Sequence, residues 1–433
     1  MFSAIYNTSI FAYGALLRLA APFNTKARQW VDGRRNWADR LTRQLQGNTA
    51  PIAWFHAASL GEFEQGRPVI EAFRAHYPDH KILLTFFSPS GYEVRKNYAG
   101  ADFITYLPAD TPANARQFVS LVKPAIALFI KYEFWANYLR ELSAADVPTV
   151  SFSAIFRPNQ LFFSRSAAGD FYRNLLRRFS HLLVQNDESV ELLRGIGLTN
   201  VTRAGDTRFD RVAQVADQKK AIPIAATFKA GPGVATPGEA SPGGHLPPLL
   251  VIGSAWQADM DVLIPFLNRF DKPLTVIIAP HEIHDAEIDR WRSQLTRPSV
   301  RYSDVERTGK TGPYQTLFID NIGLLSSLYQ YGEYAYIGGA FGKGLHNTLE
   351  AATFGLPLFF GPNYTKFGEA VELVAEGAAF PVRTTDELET AFRRLYDNPT
   401  LRSEAAETSR RYVARNIGAT GKVMNVVKKI KSA

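Results

Sequence analysis

The sequence predicts an α/β protein made of two Rossmann-like halves, each with a parallel sheet covered on both faces. Three observations carry this. From residue 52 onward, short apolar runs alternate with segments of helical periodicity, as in a buried parallel sheet. The alternation stops at a glycine- and proline-rich stretch and resumes at Leu249. A length of 433 residues with 46% hydrophobic content exceeds what one core organises and suffices for two. Two such halves predict one shared cleft, with ligands at the carboxyl ends of the strands.

The first segment, residues 1–46, reads as a basic helical region associated with a membrane. Its first acidic residue is Asp32, and before it run Ile5, Ile10, Phe11, Tyr13, Leu16, Leu17, Leu19 and Phe23. Asn7, Thr8, Ser9 and Arg18 dilute this run below what a spanning helix wants. A helix lying in the interface fits better, with Lys26, Arg28, Arg34, Arg35, Arg40 and Arg43 on anionic lipid and Trp30 and Trp37 at headgroup depth. The plainer alternative is an ordinary helix packed on its domain. No secretory signal pattern is present.

Residues 47–215 form the first half. Strands are expected at 52–56, 81–86, 103–107, 125–130, 147–152, 181–185 and 201–204, with helices at 63–76, 112–122, 134–144, 167–179 and 189–196. Residues 216–248 are a linker whose stretch from Lys229 to Pro248 is too rich in glycine and proline to order itself. Residues 249–415 repeat the pattern, with strands at 249–253, 274–279, 316–320, 334–338 and 356–360. Residues 416–433 close the chain as a basic helix ending in Lys428, Lys429 and Lys431.

Composition narrows the chemistry. Cysteine is absent, which excludes disulfides, thiolate catalysis and cysteine-bound metals. A net charge of +8, from 49 Lys and Arg against 41 Asp and Glu, calls for an anionic partner.

The ends of the expected strands hold the candidate site residues. After the first comes HAASLGE, residues 56–62: Ser59 and Glu62 have capping-box spacing, so the carboxylate either binds the Ser59 N–H or serves as a general base on the cleft lip. Gly61 inside the first helical turn favours close approach of a ligand. Ser88, Ser90 and Gly91 end the second strand, where they bind an anion or simply cap a helix. Lys131 and Glu133 follow an entirely apolar strand and are poor core residues, placed for function or paired as a structural ion pair. In the second half, Ser254 closes one strand and His281, Glu282 and His284 the next. The H-E-x-H spacing is not that of a zinc protease, and no metal site is predicted.

Residues 338–352, GGAFGKGLHNTLEAA, read as a strand end, a glycine-rich turn and a helix start built to receive a phosphate, with Glu350 within reach of a ribose. The spacing fits neither a dinucleotide fingerprint nor a P-loop, and a nucleotide-sugar site fits better. There is no G-x-S-x-G elbow for a nucleophilic serine.

With these residues in view, the chain resembles the 3-deoxy-D-manno-octulosonic acid (Kdo) transferases. The resemblance rests on HAASLGE at 56–62, TFFSPSGYE at 85–93, KYEFW at 131–135, GDTRFDRV at 205–212, the glycine-rich 338–352 and GPNYTKF at 361–367. It implies a GT-B glycosyltransferase fold and inverting transfer of Kdo from CMP-Kdo to a lipid A precursor (lipid IVA). No metal or other cofactor is implied, and the enzyme would work at the cytoplasmic face of the inner membrane. It implies Glu62 as general base, with Glu133 and Lys131 assisting. Ser254, His281, Gly338, Gly339, Gly342, Asn347 and Glu350 would hold CMP, the last through its ribose. Ser59, Gly61, Ser88, Ser90, Gly91 and Arg208 would line the substrate site. One departure stands out: many relatives carry an arginine after Pro280, where this chain has His281, so His281 or Lys343 would take over its phosphate contact.

Other classes compete, among them a non-catalytic membrane-binding scaffold, which would leave Glu62 and Glu350 without purpose. Another GT-B enzyme, a UDP-sugar transferase or epimerase, shares the glycine-rich turn and Glu350. A nucleic-acid-binding protein would use the basic charge, yet here that charge gathers at an apolar N-terminus.

Overall fold

The computed structural model describes residues 2–218, 220–230, 246–342 and 344–432. Most of the glycine- and proline-rich stretch, and Lys343, lie outside the described residues. The chain divides into two units, Met1–Arg211 with Asn416–Ala433, and Val212–Arg415.

The first unit holds seven strands: β1 (Ile52–Ala57), β2 (Lys81–Phe86), β3 (Phe103–Tyr106), β4 (Pro124–Ile130), β5 (Thr149–Ala154), β6 (His181–Val184) and β7 (Val201–Arg203). All pair in parallel, in the order β3-β2-β1-β4-β5-β6-β7. Every residue of β1 is buried, because helices cover both sheet faces. Alternation along the strand divides the core: Trp54 packs with Phe118, Phe129 and Tyr138, while Phe55 joins Phe63, Val69, Ile70 and Phe73 on the other face. The strand order reverses between β1 and β4, and the crevice at that point is where such sheets take ligands.

The first helix, Phe2–Ala20, packs one face on this unit. Tyr6 donates to Asp110 at 2.6 Å, Asn137 donates to Asn7 at 2.9 Å, and the Tyr13 ring meets Trp30 and Phe87. The other face leaves Ile5, Phe11, Leu16 and Leu19 in solvent. Among the described residues no helix is long and apolar enough to cross a membrane. The chain's last helix, Ala419–Ser432, returns to the first unit, where Val423, Met424 and Val427 enter the Phe55 side of the core. Asp210 caps it, accepting from the N–H groups of Gly418 and Thr420, each at 2.6 Å.

The second unit repeats the design with β8 (Leu249–Ala255), β9 (Thr275–Pro280), β10 (Ser299–Arg301), β11 (Thr316–Phe318), β12 (Tyr334–Ile337), β13 (Leu358–Phe360) and β14 (Ala379–Pro381). The parallel order is β10-β11-β9-β8-β12-β13-β14, reversing between β8 and β12. Two strands have no counterpart in the sequence reading, β10 and β14, each three residues long at a sheet edge. One expectation is corrected: Leu345 lies in the turn rather than in a helix, and the helix after the glycines is a single turn, Leu349–Ala352. The helix N-terminus expected directly after the glycines therefore begins later, at Leu349.

Candidate active site

In the first unit the reversal point gathers the ends of β1, β2 and β4. Ser59 caps the helix Leu60–His76, and its Oγ accepts from the Glu62 N–H at 3.5 Å. The Glu62 carboxylate turns back to accept from the N–H of Ala58 at 2.6 Å. Capping is thus part of its role, with Ala58 as the short contact. Burial pushes the Glu62 carboxyl up to about 7, the charge of Glu133 adds to the rise, and the Ala58 N–H and Lys131 oppose it.

Glu133 is held by two groups for which the sequence reading assigned no role. The Trp135 indole N–H donates to its Oε2 at 2.6 Å, and His56 Nε2 lies 3.2 Å from the same oxygen. His56 is fully buried, its Nδ1 2.8 Å from Thr85 Oγ1, which also accepts from the Trp54 indole at 2.8 Å. A histidine inside the otherwise apolar run Ile52–Phe55 was the available signal. Lys131, directly after β4, has φ of +69°, a left-handed conformation that costs a side-chain-bearing residue on the order of 1 kcal/mol or more. Ser254, at the end of β8, shows the same conformation with φ of +55°.

The other first-unit candidates divide. Gly61 is exposed, and an added Cβ would meet nothing within 4 Å, so packing does not require a glycine there. Gly91 has a packing reason, since a Cβ would stand 2.3 Å from Phe86. Ser88 caps its helix by accepting from the Ser90 N–H at 3.2 Å, and the two hydroxyls meet at 2.9 Å. Arg208 pairs with buried Asp206 at 2.7 Å, and Asp206 also accepts from Gln65 at 2.7 Å.

In the second unit the reversal point gathers Ser254, Gly338 and Gly339. A Cβ on Gly338 would lie 2.2 Å from the Ser254 carbonyl oxygen, and Gly339 has φ of +95°, so glycine is required at both. Buried Asp259 ties the turn down: it accepts from the N–H groups of Gly339 at 2.9 Å and Trp256 at 3.0 Å, and from Tyr336 at 3.1 Å. Gly342 and Gly344 donate to the Gly339 carbonyl, and His346 donates to that of Gly338. Asn347 donates to Glu350 at 3.1 Å, which brings these two candidates together.

His281 stacks between Trp256 and His346, with centroids 4.4 and 4.3 Å apart. The Trp256 indole donates to His346 Nε2 at 3.0 Å. Burial, then the neighbouring His281, lower the His346 pKa to about 4. His281 is lowered too, chiefly by burial. His284 instead pairs with Glu282 at 3.2 Å, so the two histidines of the H-E-x-H run do different things.

Residues 35–211 match the family model described as 3-deoxy-D-manno-octulosonic-acid transferase (kdotransferase). A relative of that name from Aquifex aeolicus is 26% identical across 80% of this chain and 87% of its own length. One from Bordetella pertussis is 26% identical across 87% of this chain and 88% of its own. The chain is similar to the kdotransferases across most of its length. Glu62, Lys131, Glu133 and Arg208 all fall within the part that matches the kdotransferase model. Among solved structures, the UDP-GlcNAc 2-epimerase of Neisseria meningitidis aligns with 87% of this chain and all of its own, with a TM-score of 0.60 at 13% identity. A likeness at that identity speaks for the two-unit fold alone.

Proposed function

We propose that the chain is an inverting, metal-independent kdotransferase of the GT-B type. In this reading it moves Kdo from CMP-Kdo to a lipid A precursor, lipid IVA, during assembly of the lipopolysaccharide core. The observation that carries the reading is the carboxyl group of Glu62 at the carboxyl end of β1, raised to about 7. Such a base holds a proton from a hydroxyl near neutral pH, which a carboxylate of ordinary pKa does poorly.

Glu62 takes the proton of the acceptor hydroxyl as that oxygen bonds to the anomeric carbon of Kdo. The bond from this carbon to the CMP phosphate oxygen breaks, and CMP leaves with the electron pair. Lys131 and Glu133 orient the reacting groups beside Glu62. The turn Gly338–Gly339 with Gly342, Ser254, His281 and the Asn347–Glu350 pair holds CMP, with Glu350 on the ribose. Positioning and electrostatic stabilisation supply the rate without a covalent intermediate. We place the enzyme at the cytoplasmic face of the inner membrane, a reading supported by the exposed apolar face of the first helix and the net charge of +8.

The test is product mass after incubating the purified protein with CMP-Kdo and lipid IVA. The expected product is lipid IVA carrying added Kdo. Unchanged lipid, or binding of UDP in preference to CMP by titration, would overturn the reading.

A further inference from the structure

β1 places one ionisable side chain, His56, in an otherwise apolar and fully buried run, and the transfer step gives it no task. Its neighbours Trp54 and Thr85 are also fully buried, and the group reaches the site only through Glu133, which is 8% exposed. Polar side chains in such a core cost stability unless each finds a partner, and an apolar set of the same shape would close the core as well.

The partners are ordered by the hydrogens each can give. The Trp54 indole has one, and Thr85 Oγ1 takes it at 2.8 Å. Thr85 keeps its own hydrogen for His56 Nδ1 at 2.8 Å or the Phe55 carbonyl at 3.3 Å, and the imidazole is the shorter contact. With Nδ1 accepting, the ring hydrogen sits on Nε2, 3.2 Å from Glu133 Oε2. The Trp135 indole gives its single hydrogen to the same oxygen at 2.6 Å, so the carboxylate accepts twice. The competing order puts a hydrogen on Nδ1 and gives it to the Thr85 carbonyl at 3.2 Å. It either charges the ring or turns the Nε2 lone pair on the carboxylate. Phe129 stands 5.8 Å from the imidazole, and among the described residues Glu133 is the one carboxylate within ion-pair distance of it.

A neutral imidazole leaves Glu133 its full negative charge, whereas an imidazolium would cancel it. That difference reaches Glu62, which burial and then Glu133 raise and Lys131 opposes. We propose that Thr85 and His56 are positioning residues of the transfer: the relay Trp54, Thr85, His56 locks the imidazole hydrogen on Nε2 and keeps the whole charge of Glu133 beside the base. Their purpose rests on the transferase reading; their hydrogen-bond order does not.

The test uses the full chain labelled with nitrogen-15 in histidine and carbon-13 in the glutamate carboxyls, with His56→Gln and Glu62→Gln assigning the two signals by magnetic resonance. In the wild type His56 is expected to show a bare Nδ1 and a hydrogen on Nε2 between about pH 6 and 8. Thr85→Val removes the hydroxyl and keeps the branched shape. In it the Glu62 carboxyl should titrate lower by about half a pH unit or more, and the rising limb of kcat/KM should move with it. Thr85→Ser keeps the hydroxyl and should hold both at the wild-type position. In a Glu133→Gln background Thr85→Val should add no further shift, because the relay acts through that charge. A merely structural Thr85 would lower the melting temperature and leave the Glu62 titration in place, and that result would overturn the proposal. So would a hydrogen on Nδ1 in the wild type, a reading that decides the matter even where Thr85→Val fails to fold. Neither resonance readout needs turnover, so a chain that shows the Nε2 hydrogen and the Glu62 shift but transfers no Kdo would sink the transferase reading and leave the relay standing.

Discussion

Two demands meet at Glu62. A carboxylate in the first turn of a helix, accepting a backbone N–H, ordinarily has a lowered pKa because both the N–H and the helix dipole favour the anion. Glu62 goes the other way, up to about 7, because burial and the charge of Glu133 outweigh the Ala58 N–H. A structural cap gains nothing from that shift, whereas a base working near neutrality does. We expect Glu62→Gln to lower kcat roughly 100- to 10,000-fold with CMP affinity unchanged in a direct titration. In the wild type kcat/KM should climb as pH rises through about 7, and Glu133→Gln should move that limb to lower pH. A limb that stays put would remove Glu133 from the explanation. Stability carries the opposite sign. The folded value lies above an unfolded one of about 4.3, so the group's contribution is full below that pH and lost as pH rises toward 7. Urea denaturation should therefore show Glu62→Gln more stable than the wild type at pH 8, by about 1–2 kcal/mol, and nearly equal at pH 4.

Glycines govern the elements around both reversal points, and they are not alike. Gly61 sits in the helix Leu60–His76 with open space where a Cβ would be, so Gly61→Ala should stabilise the first unit by about 0.5–1 kcal/mol through helix propensity. The same change should raise the KM for the acceptor, because the space is kept for a ligand; unchanged kinetics would make the glycine incidental. Gly338→Ala drives a Cβ to 2.2 Å from the Ser254 carbonyl and should cost about 3 kcal/mol. Gly342→Ala meets its nearest atom at 3.6 Å and should melt like the wild type. The two melting curves separate a turn clamped by strand ends from one that tolerates any small residue. This element also shows where sequence reading stopped. Leu345, Leu349 and Ala352 recur at helical spacing, yet the loop closes on the Gly339 carbonyl and His346 folds back to Gly338, so the helix waits until Leu349. Buried side chains at that spacing look the same whether the backbone between them is helical or looped. Asp259, which holds the turn down, was equally hidden, because a capping acid and a tether to a distant strand are the same residue in a sequence.

At the scale of the molecule, the two sheets were legible because their central strands are apolar and separated by helices; β11 and β13 are as short as β10 and β14 but sit in longer apolar runs, whereas Ser299, Arg301 and Pro381 make β10 and β14 read as loop. What no local signal could show is which unit owns the last helix, Ala419–Ser432. Its apolar positions at helical spacing mark a buried face but name no partner. The partner is the first unit, entered through Asp210 some two hundred residues earlier in the chain. Val423, Met424 and Val427 are almost fully buried there, beside Phe63, Val69, Ile70 and Phe73. Three such side chains bring on the order of 5 kcal/mol, which rivals the whole stability of a typical domain. Ending the chain after Arg415 should therefore unfold the first unit. Hydrogen exchange should become fast in Ile52–Ala57 and Lys81–Phe86, while Leu249–Ala255 and Tyr334–Ile337 stay protected and CMP binding survives. Asp210→Ala removes only the cap, at a cost of about 1 kcal/mol, and should loosen Ala419–Ser432 alone. Protected first-unit strands in the truncated chain would show that this core closes without its last helix.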